Sequence, residues 1–227
     1  MKKFLLTLYL VWPAIVMAQK QPPMTEPFNN PMSFQVEAGT QGIGGDLRYG
    51  LMPNLSGRFG ASFAPLSTNS SLSISGFNTL TSEKINFANV HLLADFVPFE
   101  NAQGLRLVGG AAYLFQASGR LILSPTGNYS FANYNLTGTD VGVLDMNVAW
   151  KGLAPYVGIG LFRSFPNNFL NFNLDLGTYY LTAPTTHITG TNLLVDNNQL
   201  EPQFNQNLKN YRWLPVLQLN FNFRIKQ

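Results

Sequence analysis

The sequence predicts an all-β fold: an antiparallel transmembrane β-barrel of eight strands, with ten as the alternative. Short periplasmic turns and three long external loops join them. Three observations carry this expectation. Apolar and polar residues alternate with period two over most of the chain, the mark of strands whose faces meet different media. Only 11% of the 227 residues are charged, although 45% are hydrophobic; an ordinary soluble domain carries about 25% charged residues. Short turns alternate with long polar loops, as in barrels that cross a bilayer.

Composition excludes several other classes. The chain is 13% aromatic, with 18 Phe, which opposes disorder. Beyond the first twenty positions no apolar run approaches the roughly 20 residues of a transmembrane helix. With no Cys there is no disulfide framework, thiolate metal site, Cys nucleophile or lipoprotein anchor.

Residues 1–18 read as a cleaved signal peptide. Lys2 and Lys3 form the charged start, Phe4 to Val16 the apolar stretch, and Val16-Met17-Ala18 the cleavage site, leaving Gln19 as the mature start. The full chain has 14 basic and 11 acidic residues, net +3. Loss of Lys2 and Lys3 leaves 12 against 11, net +1. No basic patch remains to suggest nucleic acid. Residues 19–32, rich in Pro and polar groups, read as a flexible leader, and residues 33–227 as the barrel.

The strands follow in order. Ile43, Gly45, Leu47, Tyr49 and Leu51 face lipid, with Gly44, Asp46 and Arg48 inside; Met52-Pro53-Asn54 is a tight turn. Phe59, Ala61 and Phe63 face out, with Arg58, Gly60 and Ser62 inside. Residues 67–84, rich in Ser, Asn and Thr, read as the first long loop. Val90, Leu92, Ala94 and Phe96 then face out, opposite Asn89, His91 and Asp95. Pro98 to Gly104 is a short turn, after which Leu105, Leu107, Ala111, Tyr113 and Phe115 face out, with Arg106 and Gln116 inside. Residues 118–150 form the second long stretch and can extend the strands on either side.

Pro155, Val157, Ile159 and Leu161 resume the outer face, and Arg163 to Asn168 make a third turn. Phe172, Leu174, Leu176, Thr178 and Tyr180 face out, with Asn171, Asn173, Asp175 and Tyr179 inside. Residues 183–211 are the third long loop, with a short helix within Leu200 to Tyr211. The last strand, Leu214 to Lys226, alternates most clearly. That makes seven strands, and bacterial single-chain barrels have even numbers. The phase changes near Thr40-Gln41, so either a bulge lies there or Ser33 to Thr40 is a separate first strand; His187 to Val195 is the other candidate for the eighth.

Seven charges fall on the inner face: Asp46, Arg48, Arg58, Asp95, Arg106, Asp175 and Arg224. An eight-stranded barrel has an interior just wide enough for side chains to fill. Charges there must pair, and Arg suits this because its planar fork matches a carboxylate. A network plugging the lumen is the first reading and a charged constriction the second. His91 and His187 make a poor catalytic or metal set. His91 and Asp95 lie four residues apart on an extended strand, out of direct reach, and no Ser stands at a recognisable spacing. No catalytic residue, metal or cofactor is expected. Tyr49, Phe63, Phe96, Phe99, Tyr113, Phe115, Phe162, Phe165, Tyr180, Tyr211 and Trp213 stand at strand ends, as interface girdles do.

Several segments resemble the small Gram-negative outer-membrane barrels of the OmpA-like and OmpW-like class. They are Gly39-Thr40-Gln41-Gly42-Ile43-Gly44-Gly45-Asp46-Leu47, Met52-Pro53-Asn54-Leu55, Leu92 to Phe99, Ala154 to Gly160, and Leu174-Asp175-Leu176-Gly177. The resemblance implies an outer-membrane location, contact with outer-membrane lipids, and recognition of the last strand by the assembly machinery. Such barrels end on an aromatic residue; here the chain runs past Phe223 to Gln227. The expected role is structural or loop-mediated in the cell envelope, with an unknown external partner. A narrow porin-like channel is the first alternative and a lipid-modifying enzyme the second.

Overall fold

The computed structural model describes residues 30–74, 77–99, 104–131 and 134–226. The signal peptide and most of the leader lie outside the described residues. Among the described residues eight strands close into one antiparallel ring: β1 (Met32–Gly39), β2 (Gly42–Met52), β3 (Leu55–Ile74), β4 (Phe77–Phe96), β5 (Leu105–Pro125), β8 (Leu144–Leu161), β9 (Leu170–Tyr180) and β11 (Trp213–Lys226). Each pairs with its neighbour in sequence order. The ring is completed where β1 pairs with β11, Val36 opposite Phe221, and where β8 pairs with β9, Ile159 opposite Leu176.

The first strand is the separate one starting at Met32, a single residue before the barrel boundary expected at Ser33. The phase change at Thr40-Gln41 is therefore a hairpin turn. It is two residues long and leaves through Gly42 at φ +92°, where a Cβ would lie 2.1 Å from the Phe63 carbonyl oxygen.

Alternate residues of each strand point to opposite sides of the wall. The outer set forms an apolar belt in which Phe59, Leu92 and Val157 are exposed to 58, 65 and 61%. That exposure would be costly in water and is favourable in hydrocarbon. The inner set is buried. Two details differ from the sequence reading. A bulge in β5 between Leu114 and Ala117 shifts the phase, so Ala117 turns inward and Gln116 outward. Leu161, expected on the outer face, is buried at the strand end.

The two ends of the barrel differ. At one end lie both chain termini of the ring and the connections β2–β3, β4–β5 and β8–β9. At the other, β3, β4, β5 and β8 continue well past their neighbours. Residues 67–84, expected as a loop, instead extend the β3–β4 hairpin, with Ser67 paired to Lys84 and Ser73 to Asn78. Strands of 20 residues are twice the roughly 9–11 needed to cross a bilayer. The second and third long stretches do form beyond this end. The former carries the hairpin β6 (Asn128–Phe131) and β7 (Tyr134–Thr137) and a one-turn helix, Gly138–Val141. Thr137 caps that helix, and the Thr137 hydroxyl on the Asp140 carboxylate holds Asp140 below the usual carboxylate range.

The third stretch supplies β10 (Thr185–Gly190), which pairs along the raised part of β8, with His187 opposite Asn147. The 3-10 helix Asn192–Leu200 and the helix Glu201–Leu208 follow. Three side chains from them accept hydrogen bonds from the free edge of β10: Asn205 from Thr186 N at 3.1 Å, Glu201 from Ile188 N at 3.4 Å and Asn198 from Gly190 N at 2.7 Å. An exposed strand edge invites pairing with another chain, and these groups close it.

Candidate functional site

The interior is the site the sequence pointed to, and it is built in tiers. At the end bearing the short turns, the segment after β8 folds across the mouth. Arg224 donates to the carbonyl oxygens of Pro166, at 2.7 Å, and Asn167. Asn171 donates to the carbonyls of Arg163 and Phe165. Phe165 lies over the guanidinium of Arg48, 6.0 Å from ring centre to Cζ. One residue expected in the outer girdle, Phe165, instead covers the mouth, while Phe162 packs against the outward-facing Phe172 with ring centres 5.5 Å apart. Arg224, the seventh charge of the expected network, thus binds backbone carbonyls of this turn at the mouth.

The other six predicted charges meet above that floor. Arg48 donates to Asp95 Oδ2 at 2.6 Å. Arg106 donates to Asp95 Oδ1 at 2.6 Å, Asp175 Oδ1 at 2.8 Å and Asn173 at 2.9 Å. Arg58 donates to Asp175 Oδ2 at 2.6 Å and stands 3.5 Å from Asp95 and 3.8 Å from Asp46. All three arginines are at most 2% exposed. Gly160 makes room for this: a Cβ there would lie 2.4 Å from the Arg106 Cζ. Such a set is stable only when fully paired, since a buried ion that loses its partner costs several kcal/mol.

A polar tier follows, centred on a residue the sequence reading left unassigned. Glu37 of β1 is 2% exposed and accepts a hydrogen bond from Gln218. Its position was legible only once Ser33 to Thr40 was taken as a strand, with Ser33, Gln35 and Glu37 as its inner face. His91 Nε2 lies 2.7 Å from Asp46 Oδ1, and His91 Nδ1 lies 2.9 Å from Asn89 Oδ1. Gln35 donates to Asp46 Oδ2 at 2.8 Å and accepts from Arg48 at 2.9 Å, tying this tier to the charges below. Gln41, from the β1–β2 turn, covers it by bonds to Gln218 and Asn89.

The rest of the inner wall is apolar, which the expected polar-in rule did not anticipate: Leu93 lies between Asp95 and His91 on β4, Val108 lies opposite Asp95, and the apolar lining continues toward the loop end. Phe87, Leu93, Val108, Ala112, Leu114, Ala154, Tyr156, Tyr179 and Val216 form a continuous buried cluster. Tyr156 and Tyr179 face each other across the β8–β9 ladder with ring centres 4.8 Å apart. Beyond it, Trp150 donates to the Tyr211 carbonyl at 3.0 Å, binding the third stretch to the rim.

A closed antiparallel ring with an apolar outer belt and a polar inner wall is the architecture of small transmembrane β-barrels. Two solved structures, CarO2 and CarO, agree on the fold. CarO2 of Acinetobacter baumannii matches with a TM-score of 0.65 and 23% identity, over 88% of this chain and all of that one. CarO of the same organism matches with a TM-score of 0.62 and 24% identity, over 87% of this chain and all of that one. A major outer membrane protein of Thermus thermophilus gives a TM-score of 0.44 at 18% identity, over 86% of this chain and 99% of that one. No protein-family model and no curated protein sequence matches the chain.

Proposed function

We propose that the chain is a non-conducting outer-membrane barrel whose work is done on the raised, loop-bearing end. The supporting observation is the filling of its interior. Arg58 and Asp175 join opposite walls, and the apolar cluster fills the lumen beside them, at Leu93 and Val108, and toward the loop end. Water and small ions need a continuous polar path, and such a filling interrupts one.

The envelope location rests on the physics of the belt together with the export signal read at residues 1–18. In this reading the belt contacts outer-membrane lipids, and β11, which closes the ring, is presented to the assembly machinery. The raised sheet and the unit spanning residues 185–211 stand outside the cell, where they brace the envelope or meet an external partner. A catalytic role fits poorly. His91 is enclosed in the lumen, away from any lipid-facing rim, and His187 is hydrogen-bonded to Glu201 at 2.7 Å.

Conductance in planar bilayers tests the proposal. The refolded mature chain is expected to give no steady channels. Steady channels whose size changes in Arg58→Ala and Arg106→Ala would overturn it in favour of a narrow pore. Recovery of the mature protein in the soluble periplasmic fraction would overturn the location.

A further inference from the structure

The polar tier is short of one positive charge. Three arginines face four carboxylates: Arg48, Arg58 and Arg106 against Glu37, Asp46, Asp95 and Asp175. The arginines bind Asp95 and Asp175 at 2.6–2.8 Å, while the nearest approach to Asp46 is 3.8 Å from Arg58. The deficit therefore falls at Glu37 and Asp46. One donor atom from each of Glu37, Asp46 and His91 lies within 4.8 Å of the others, and all three residues are buried.

Three observations make this more than a crowded spot. The first is the tautomer. The Asn89 amide nitrogen is committed to Gln41 and Ser62, at 3.2 and 3.0 Å. Its oxygen therefore faces His91 Nδ1, which must carry the proton. A neutral His91 then turns the bare lone pair of Nε2 onto the Asp46 carboxylate at 2.7 Å, a repulsive contact unless a proton bridges the two atoms or a cation binds both. The second is Glu37 Oε1, a buried oxygen with no hydrogen-bond partner. Protonating His91 would satisfy Asp46 and leave this oxygen unsatisfied. The third is the space cut for the two carboxylates. A Cβ on Gly44 would lie 2.5 Å from Glu37 Oε1, and one on Gly60 would lie 1.7 Å from Asp46 Oδ1.

We infer that Glu37, Asp46 and His91 form a binding site for one divalent transition-metal ion, zinc being the reference case, within the closed lumen. One imidazole nitrogen and two carboxylate oxygens are a donor set such ions accept. Asn89 would orient the imidazole through Nδ1, as outer-shell partners of histidine ligands do. The ion would supply the missing positive charge at the oxygens that lack it. Gln41 and Gln218 close the site from the loop end, so the ion enters during folding, and its role is to hold β1, β2 and β4 together. The inference uses the enclosed interior and does not depend on where the barrel resides.

The test uses the untagged mature chain, unfolded with a chelator and refolded into lipid vesicles with or without zinc, then dialysed against chelator. Wild type is expected to retain about one zinc per chain by elemental analysis. His91→Gln and Glu37→Gln are each expected to retain at least tenfold less while still migrating as folded barrel. Two results would overturn the site: no retained zinc in wild type, or equal retention in both variants. If the variants do not fold, the zinc-edge absorption spectrum of loaded wild type decides. One imidazole plus oxygen donors supports the site, and any other donor set refutes it. Conductance is read separately, so failure here leaves the proposed function standing.

Discussion

Arg58 and Asp175 lie on strands four places apart in a ring of eight, diametrically opposite, yet their side chains meet at 2.6 Å. The barrel is thus tied across its axis by one ion pair. Arg106 reaches Asp175 from two strands away, and Arg48 and Arg106 share Asp95, so the pair belongs to a web with contacts from most of the wall.

Removing one end of this pair leaves a carboxylate deficient in partners inside a sealed lumen. Arg58→Met is expected to lower stability in lipid vesicles by about 3–5 kcal/mol, read by urea titration. A loss below about 1 kcal/mol would mean water reaches Asp175.

The belt and the apolar tier give different expectations for their leucines. Leu114 is 1% exposed, and Leu114→Ala is expected to cost about 2–5 kcal/mol through the cavity it leaves. Leu92 faces outward, and Leu92→Arg is expected to cost about 2–4 kcal/mol if it sits near the bilayer midplane. Unfolding in vesicles checks both, and a neutral Leu92→Arg would show that this face meets water.

Two glycines on the β5–β8 pair also part ways. A Cβ at Gly160 would meet the Arg106 guanidinium, which is held by Phe162 O, Asp95, Asn173 and Asp175 and has nowhere to move. Gly160→Ala is expected to destabilise by about 1–3 kcal/mol. Gly109, with nothing within 4 Å of a built Cβ, is expected to accept Ala within about 0.5 kcal/mol. Urea titration of both variants in vesicles checks the contrast.

The guarded edge of β10 predicts a proteolytic phenotype. With Asn198→Ala and Glu201→Ala together, the edge amides of Gly190 and Ile188 lose their acceptors. External protease on intact cells is then expected to cut within residues 185–211 at least several-fold faster. The barrel itself should keep its heat-dependent shift in gel mobility.

The Thr137–Asp140 cap carries a pH signature. Hydrogen bonds from Thr137 favour ionised Asp140, so the folded value lies below the unfolded one of about 3.9. The cap is fully formed above the unfolded value and is lost as pH falls through the folded one. A carboxyl chemical-shift titration is expected to place the midpoint below that of Asp140 in an unfolded peptide.

Parity along the strands was enough to place six of the seven expected charges, because a lipid-facing residue must be apolar and its neighbour therefore shows the inner face. The rule fails where its cause is absent. Over residues 67–71 both faces of the strand are polar, so no alternation arises. Ser67, Asn69 and Ser71 on β3 are polar beside equally polar Thr68 and Ser70, although the ladder continues. Leu93, Val108 and Leu114 show the converse. An apolar residue on the inner face adds no contrast to its apolar neighbours, so these strands were placed from Leu92, Ala94 and Leu107 outside and Asp95 and Arg106 inside, and the apolar filling between them was not read. Arg224 obeyed parity, and its displacement to the mouth came from backbone carbonyls of a turn that sequence spacing does not place.

The ring closes by pairing Met32 with Lys226 and Ser33 with Arg224. The first strand made during synthesis therefore waits for the last. No partial chain can satisfy both edges of β1, and every nascent fragment carries an open seam. Such non-local pairing is slow to form because its loop-closure entropy is met late. Assembly of this molecule is thus a post-synthetic event, and a chain truncated before β11 is an adhesive sheet rather than a smaller barrel.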